Sequence, residues 1–279
     1  MILLADSGST KTDWTLLNNG TITESFRTQG LNPYFVQTDD VVAILKEQLL
    51  HNEAVRQVEQ IFFYGAGCSS EGKNKVIRDA LDKLFPDSEN LIAHDLLAAA
   101  RALFGKQAGI ACILGTGSNS CVYDGEKITR SLFSLGYMFG DEGSGAHLGK
   151  NFIGAYLKKA APAEIIEAFL KKYDLSDEDI LTNIYRKSNP NRFLASFTHF
   201  LKQHEDHPFI SGLIFSCFED FFREQILKYP EKQDYPLGCI GSVAYHFRDI
   251  FKAAAGSQGL RVEFFLVSPM EGLIRFHNR

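Results

Sequence analysis

The chain lacks a Cys-x-x-Cys pair, a basic run, a low-complexity segment and any long apolar stretch. Its five cysteines, Cys68, Cys112, Cys121, Cys217 and Cys239, are odd in number, scattered and set mostly among apolar residues. They read as buried thiols in a reducing cytoplasm, neither a disulfide framework nor a zinc or iron–sulfur site. No apolar run approaches the ~20 residues of a membrane-spanning helix. Met1 leads straight into a strand, so no cleavable signal is expected. A net charge of −5 without a basic patch argues against nucleic acid as a partner. No G-x-x-x-x-G-K-[ST] occurs, which excludes a P-loop enzyme. What remains is a soluble globular chain of 279 residues, 45% hydrophobic and 23% charged, long enough for two modest cores.

What is present begins at residue 1. Ile2 to Ala5 is apolar, Asp6 stands where that run ends, and Ser7-Gly8-Ser9-Thr10 makes a turn of small residues before Lys11 and Thr12. Trp14 to Leu17 is β-prone again and stops at Asn18-Asn19-Gly20. This reads as strand, tight turn, strand. The turn exposes backbone N–H groups and hydroxyls beside one carboxylate, a concavity suited to phosphate oxygens, and Asp6 can hold a hydrated Mg²⁺. An ordinary Gly/Ser hairpin would look the same.

The pattern then returns. Gly109 to Leu114 is a second apolar strand, Gly115-Thr116-Gly117-Ser118-Asn119 a second small-residue turn, and Ser120 to Tyr123 the return strand. A spacing of roughly a hundred residues is too long for a solenoid repeat. It suits two related domains, each offering a phosphate-binding hairpin to a shared cleft.

Along the rest of the chain, Thr21 to Arg27 reads as a strand and Thr38 to Leu49 as a helix with Asp39 and Asp40 in its first turn. Gln60 to Tyr64 is a strand, Glu71 to Leu84 a helix, Leu91 to Ala93 a short strand, and Leu96 to Phe104 an Ala-rich helix opened by Asp95. The second half continues with a strand from Ile128 to Phe133, a helix from Gly143 to Leu157, and a largely helical stretch to about Tyr229 with breaks at Pro162, Pro190, Pro208 and Gly212. A strand at Leu237 to Ile240, a helix at Ala244 to Ala255, a strand at Val262 to Val267 and a helix at Met270 to Phe276 complete it. The expected domains are 1–105, joined by the C-terminal segment 269–279, and 106–268.

DSGSTKTDW followed by LGTGSN resembles the two phosphate-binding turns of the actin-like ATPase and sugar kinase superfamily. SLGYMFGDEGSGAHLG, Ser134 to Gly149, resembles the GDEGS segment of the N-acetylglucosamine kinase-like branch, the BadF/BadG/BcrA/BcrD-type ATPase family. The resemblance implies an α/β fold of two ribonuclease H-like domains, each a mixed sheet flanked by helices, with an interdomain cleft. It implies ATP and Mg²⁺ as cofactors and a small sugar as substrate, most simply N-acetylglucosamine or a related amino sugar phosphorylated on its 6-hydroxyl. The missing cysteine pairs count against the redox-activating ATPases of that family. A homodimer stays open; nucleic acid and membrane are not expected partners.

The resemblance also assigns residues. Asp95, where a strand hands over to a helix, becomes the general base for the acceptor hydroxyl; read alone, an Asp at such a position is more commonly a helix N-cap. Gly8, Ser9, Thr10, Lys11, Thr12, Thr116 and Gly117 fall to the phosphates, with Asp6 on Mg²⁺ through water; Lys11 taken alone is a solvated lysine. Asn32, Asp95, Ser118, Asn119, Gly136, Tyr137 and Asp141 fall to the sugar. Gly241, Ser242 and Ala195 fall to the adenosine. Close relatives carry Trp and His where this chain has Tyr137 and Met138, so the wall facing the acyl group differs. Two other readings use the same motifs: an ATPase that couples hydrolysis to a partner protein, and a non-catalytic sugar or nucleotide sensor. His94, His147 and His246 show no metal-ligand spacing and read as structural or solvated.

Overall fold

The first apolar run forms β1 (Ile2–Ser7), whose residues Leu3, Leu4 and Ala5 are buried because strands pack on both of its edges and layers cover both of its faces. The computed structural model describes residues Met1–Asn278; Arg279, with which the expected segment 269–279 ends, lies outside the described residues. The chain divides into two units, Met1–Lys106 with Pro269–Arg279, and Gln107–Ser268.

In the first unit, β1 is followed by β2 (Lys11–Asn18), β3 (Thr21–Gln29), helix α1 (Thr38–Gln48), β4 (Gln60–Gly65), α2 (Glu71–Leu84), β5 (Glu89–His94) and α3 (Asp95–Phe104). The sheet order is β3-β2-β1-β4-β5, with β1, β2 and β3 antiparallel in succession and β1, β4 and β5 parallel. Leu3, Ala5, Trp14, Leu16 and Phe63 of the sheet meet Val41, Leu45, Ile77 and Leu81 of the helices in one core. Burial of the indole is completed by a bond from Trp14 Nε1 to Thr28 Oγ1 at 3.0 Å, which satisfies its single donor.

The second unit contains β6 (Gly109–Leu114), β7 (Ser118–Tyr123), β8 (Ile128–Ser131), a single turn α4 (Gly136–Phe139), then α5 (Gly145–Leu157), α6 (Ala163–Lys172), α7 (Asp177–Tyr185), α8 (Pro190–Ser196), α9 (Thr198–Gln203) and α10 (Pro208–Glu224). It closes with β9 (Leu237–Ile240), α11 (Ser242–His246), α12 (Arg248–Ser257) and β10 (Val262–Leu266). Its sheet order is β10-β9-β6-β7-β8, with β6, β7 and β8 antiparallel in succession and β6, β9 and β10 parallel. Reversed, that is the order of the first sheet with each strand replaced by the one five later, so the duplicated hairpin is the visible part of a duplicated sheet. The final helix α13 (Met270–His277) belongs to the first unit, where Gly272 packs so closely on Ala102 of α3 that a Cβ would meet its backbone.

Several boundaries differ from those expected. Ser118 and Asn119 belong to β7 and pair with Leu114 and Ile113, because the turn needs only Gly115 to Gly117 to reverse the chain. Gly212 lies inside α10: a glycine costs a helix about 1 kcal/mol, outweighed by the buried stripe Ile210, Ile214, Cys217, Phe218, Phe221 and Phe222. Pro190 and Pro208 open α8 and α10 at their first turns, where the missing N–H has no intrahelical partner to lose. The helix expected over 244–255 is two helices separated by the buried Phe247. The strand expected to reach Phe133 stops at Ser131, and Phe133 is 86% exposed.

Candidate active site

The first small-residue turn is closed by Gly8 N–H donating to the Lys11 carbonyl at 2.9 Å. Ser9, Thr10 and Lys11 are exposed on it, while Ser7 and Thr12 are buried beneath. A chain of hydrogen bonds runs under the turn. Leu31 N–H donates to Ser7 Oγ at 3.1 Å, Ser7 and Thr12 share a bond of 2.8 Å, and Thr12 Oγ1 donates to the Gln29 carbonyl at 3.2 Å. Thr12 is therefore a prop for the turn, and its hydroxyl does not face outward with Ser9 and Thr10. Lys11 is exposed and paired with Asp13, which also takes Arg27 at 2.7 Å. Gly30 passes so near the turn that a Cβ would stand 2.5 Å from the Gly8 carbonyl oxygen. Only glycine allows β3 to end there.

Asn32 is buried next to the same turn. Its Nδ2 donates to Ser9 Oγ at 2.7 Å, and its Oδ1 accepts from Tyr34 N–H at 2.9 Å. One amide proton and one lone pair are left over for a ligand.

Strand register places Asp95 beside this group. Ser7 pairs with Gly65, and Gly65 with His94, so the three stand in one row at the carboxyl ends of β1, β4 and β5. Ligands of open α/β sheets bind at that edge. Asp95 is the next residue, the first of α3. It is not the N-cap: His94 occupies that position, with its Nδ1 3.1 Å from the Leu96 amide nitrogen. Burial, the charge of Asp95 and then that of Asp13 push the Asp6 carboxyl up to about 7, against an opposing pull from Lys11. A buried carboxyl whose ionisation is made costly in this way is one that a nearby cation would favour.

Among the described residues, no group of three or more His, Cys, Asp or Glu comes together to hold a metal ion. The Asp6 carboxyl suits the other arrangement, in which a Mg²⁺ would keep its water and be held through it.

In the second unit, the turn after β6 and the GDEGS loop form one piece. Gly145 N–H donates to the Gly115 carbonyl at 2.8 Å and Ala146 N–H to the Thr116 carbonyl at 3.0 Å. Ser118 N–H donates to Asp141 Oδ1 at 3.3 Å, and Ser118 Oγ to the Glu142 carbonyl at 2.7 Å. The Ser118 hydroxyl is thus buried in the loop junction. Asp141 itself adopts φ 55°, the left-handed region that Asp and Asn tolerate best among non-glycine residues. Burial raises its carboxyl above the usual range, the Ser118 N–H opposing.

His147 braces this loop. Its Nδ1 accepts from Gly143 N–H at 3.1 Å, and burial, followed by the charge of Lys150, lowers its pKa from the ordinary imidazole value. Sequence reasoning left His147 without a role, since nothing in its spacing shows that the chain folds back four residues.

Ala195 of α8 lies against Gly145, whose neighbours also include the Gly115 carbonyl. Gly241, at φ 119°, presses on the Leu114 backbone so closely that any Cβ would collide with the Leu114 carbonyl. Thr116, Gly117, Asp141, Ala195 and Gly241 are thereby gathered around the end of β6, and Ser242 is exposed next to Gly241. Gly136 and Tyr137 stand apart on α4, where Tyr137 packs partly against the core and its carbonyl accepts from Lys150 at 3.4 Å. Asn119 Oδ1 accepts from Ser120 N–H at 2.9 Å.

Two five-stranded mixed sheets with helices on their faces, each ending its first hairpin in a small-residue turn, define the actin-like ATPase and sugar kinase fold. No protein-family model matches the chain. Over 174 residues it is 29% identical to the N-acetylmuramic acid/N-acetylglucosamine kinase of Clostridium acetobutylicum. That match spans 57% of this chain and 56% of the curated relative, little more than half its length. The solved structure of a proposed N-acetylglucosamine kinase from Porphyromonas gingivalis is similar over 100% of this chain and 99% of its own, with TM-score 0.94 and 44% identity. Another such protein, from Chromobacterium violaceum, shares the fold at TM-score 0.73 and 18% identity, over 99% and 98% of the two chains. The chain belongs to the N-acetylglucosamine kinase-like family.

Proposed function

We propose that this protein is an ATP-dependent kinase that phosphorylates a small sugar, N-acetylglucosamine or a related amino sugar such as N-acetylmuramic acid, on its 6-hydroxyl. The observation that carries the reading is the placement of Asp95 in the first turn of α3, at the sheet edge where β1 ends in Asp6 and Ser7 and leads into the exposed residues Ser9 and Thr10. Full-length similarity to a proposed N-acetylglucosamine kinase supports the sugar class. Five free, buried cysteines, Cys68 and Cys217 with thiols pushed up to about 12 by burial, support a reducing cytoplasmic setting.

Phosphoryl transfer requires positioning, charge neutralisation and a base. When bound, ATP with Mg²⁺ supplies the phosphoryl group and screens its charge. Asp95 accepts the proton of the sugar hydroxyl as that oxygen bonds to the γ-phosphorus and the bridging oxygen departs with ADP. The backbone of Ser9 and Thr10, and that of Thr116 and Gly117, donates N–H groups to phosphate oxygens; Gly8 keeps the first turn tight through its bond to the Lys11 carbonyl, and Lys11 adds charge. Asp6 orients the hydrated metal. Asn32, Asn119, Gly136, Tyr137 and Asp141 hold the sugar, and Ser118 holds Asp141 in place. Ala195, Gly241 and Ser242 border the adenosine.

A panel of hexoses and N-acylated amino sugars with ATP, scored for ADP release and phosphosugar together, tests this reading. Sugar-dependent release of both supports it. ADP release without sugar points instead to a partner-coupled ATPase, and no release at all to a sensor. The Asp95→Asn variant should lose phosphorylation by a factor of ~10² to 10⁴ while still binding ATP.

A further inference from the structure

His94 and Asp95 are adjacent in sequence, yet their side chains meet: His94 Nδ1 lies 2.7 Å from Asp95 Oδ1. That is the length of a charge-assisted hydrogen bond, and two bare acceptors cannot approach so closely. Nδ1 is also the atom that Leu96 N–H addresses, at the longer distance of 3.1 Å. A single ring nitrogen cannot accept from Leu96 and donate to Asp95 at once. The shorter contact requires a proton on it. Asp95 Oδ1 is fully covered and has no other hydrogen-bond partner among the described residues, while a quarter of the side chain stays open.

We infer that His94 is the positioning residue of Asp95: its Nδ1–H, donated to Oδ1, locks the carboxylate rotamer and leaves Oδ2 to take the proton of the acceptor hydroxyl. This rests on the kinase reading and deepens it. The arrangement follows the general pattern in which a base is oriented by a third group. His94 does not touch the reacting atoms and acts only through Asp95. Burial alone would lower the His94 pKa, but the bond to Asp95 and its charge outweigh burial and raise it above the ordinary imidazole value. Asp6 of β1 and Cys68 after β4 also feel the charge of Asp95. Helix α13, which also packs on α3, brings His277, and that residue is engaged with Tyr64 instead.

The pair His94→Asn and His94→Asp separates positioning from helix capping. Both replacements are strong N-caps, but at neutral pH only asparagine can also donate to Asp95. We expect the Asn variant to keep kcat within about threefold of wild type. The Asp variant should lose roughly tenfold or more in kcat, with its acid limb moved upward by about one pH unit and KM for ATP unchanged. Equal pH–rate profiles for the two variants, at equal thermal stability, would overturn the assignment. Imidazole NMR titration of wild type and Asp95→Asn reads the bond without any substrate: the His94 midpoint should fall in the variant, and coincident titrations would equally overturn it. Wild-type protein without sugar-dependent turnover sinks the kinase reading and this inference together. Turnover with indistinguishable Asn and Asp variants sinks the inference alone.

Discussion

Arg101 Nη1 donates to the Tyr64 hydroxyl at 2.7 Å, and that hydroxyl is in turn 2.9 Å from His277 Nε2. The Tyr64 hydroxyl thus bridges the guanidinium and the imidazole. Strand β4, helix α3 and the terminal helix α13 are tied by this relay, with Phe276 stacked 4.8 Å from the guanidinium.

The relay predicts an acid-labile C-terminal helix. Burial, then Arg101, lowers the His277 pKa from 6.5 to about 4. Between those values the unfolded chain binds a proton that the folded one refuses, so stability falls as pH drops through the window. His147 shifts the same way and His94 the opposite way, so the contribution must be read by difference. Replacing His277 by Gln should remove about 1–2 kcal/mol of the stability lost between pH 7 and pH 4.5, measured by urea unfolding. A loss unchanged by the substitution would refute it.

Asp6 predicts a trade between stability and activity. Its carboxyl, pushed up to about 7 by burial and by Asp95, is costly to ionise in the folded protein. A raised carboxyl pKa means that ionisation subtracts stability as pH rises from the unfolded value of 3.8 through 7. The Asp6→Asn variant should unfold about 1–2 kcal/mol later at pH 8 without ligands and should lose sugar phosphorylation by at least ~10². Calorimetry and the coupled ADP assay check the two halves. Ordinary activity would remove Asp6 from the metal role.

Gly30→Ala tests the support of the first turn. A Cβ there would stand 2.5 Å from the Gly8 carbonyl oxygen and the Ser9 carbonyl carbon, which are backbone and cannot swing aside. The turn must shift, costing about 1–3 kcal/mol, and KM for ATP should rise roughly tenfold. Wild-type nucleotide affinity in a stable variant would show that the turn does not contact phosphate.

Asp141 carries a backbone requirement and a chemical one, and two substitutions part them. Asparagine tolerates φ 55° and still accepts from Ser118 N–H, so Asp141→Asn should keep its melting temperature while the KM for sugar rises ~10-fold or more. Alanine at the same φ should also destabilise by about 1 kcal/mol. Equal sugar kinetics in Asp141→Asn and wild type would place the sugar elsewhere.

The sequence made the strand ends legible because they are set by local chemistry. Asp6, Gly8, Thr116 and Gly117 stand where an apolar run gives way to small residues, and β1, β6 and α2 begin and end close to where periodicity and turn residues put them. Roles that depend on the far side of a fold were not legible. Thr12 lies in the same short motif as Ser9, but its hydroxyl faces inward because the residue alternates to the covered face of β2. Ser118 reads as a turn residue and folds as a strand residue bonded to a loop twenty-four positions on. His94 and His147 gave no spacing signal, since each works through a neighbour that the backbone brings round.

The amino-acid order alone determined that this chain would build two copies of one hairpin-led sheet, because apolar alternation and glycine-bearing turns act over a few residues. Only the tertiary structure decided which oxygens and nitrogens are left open at the sheet edges and which are consumed in holding the turns. That division depends on contacts between residues distant in sequence, such as Asn32 with Ser9 and Asp141 with Ser118. No local pattern encodes them.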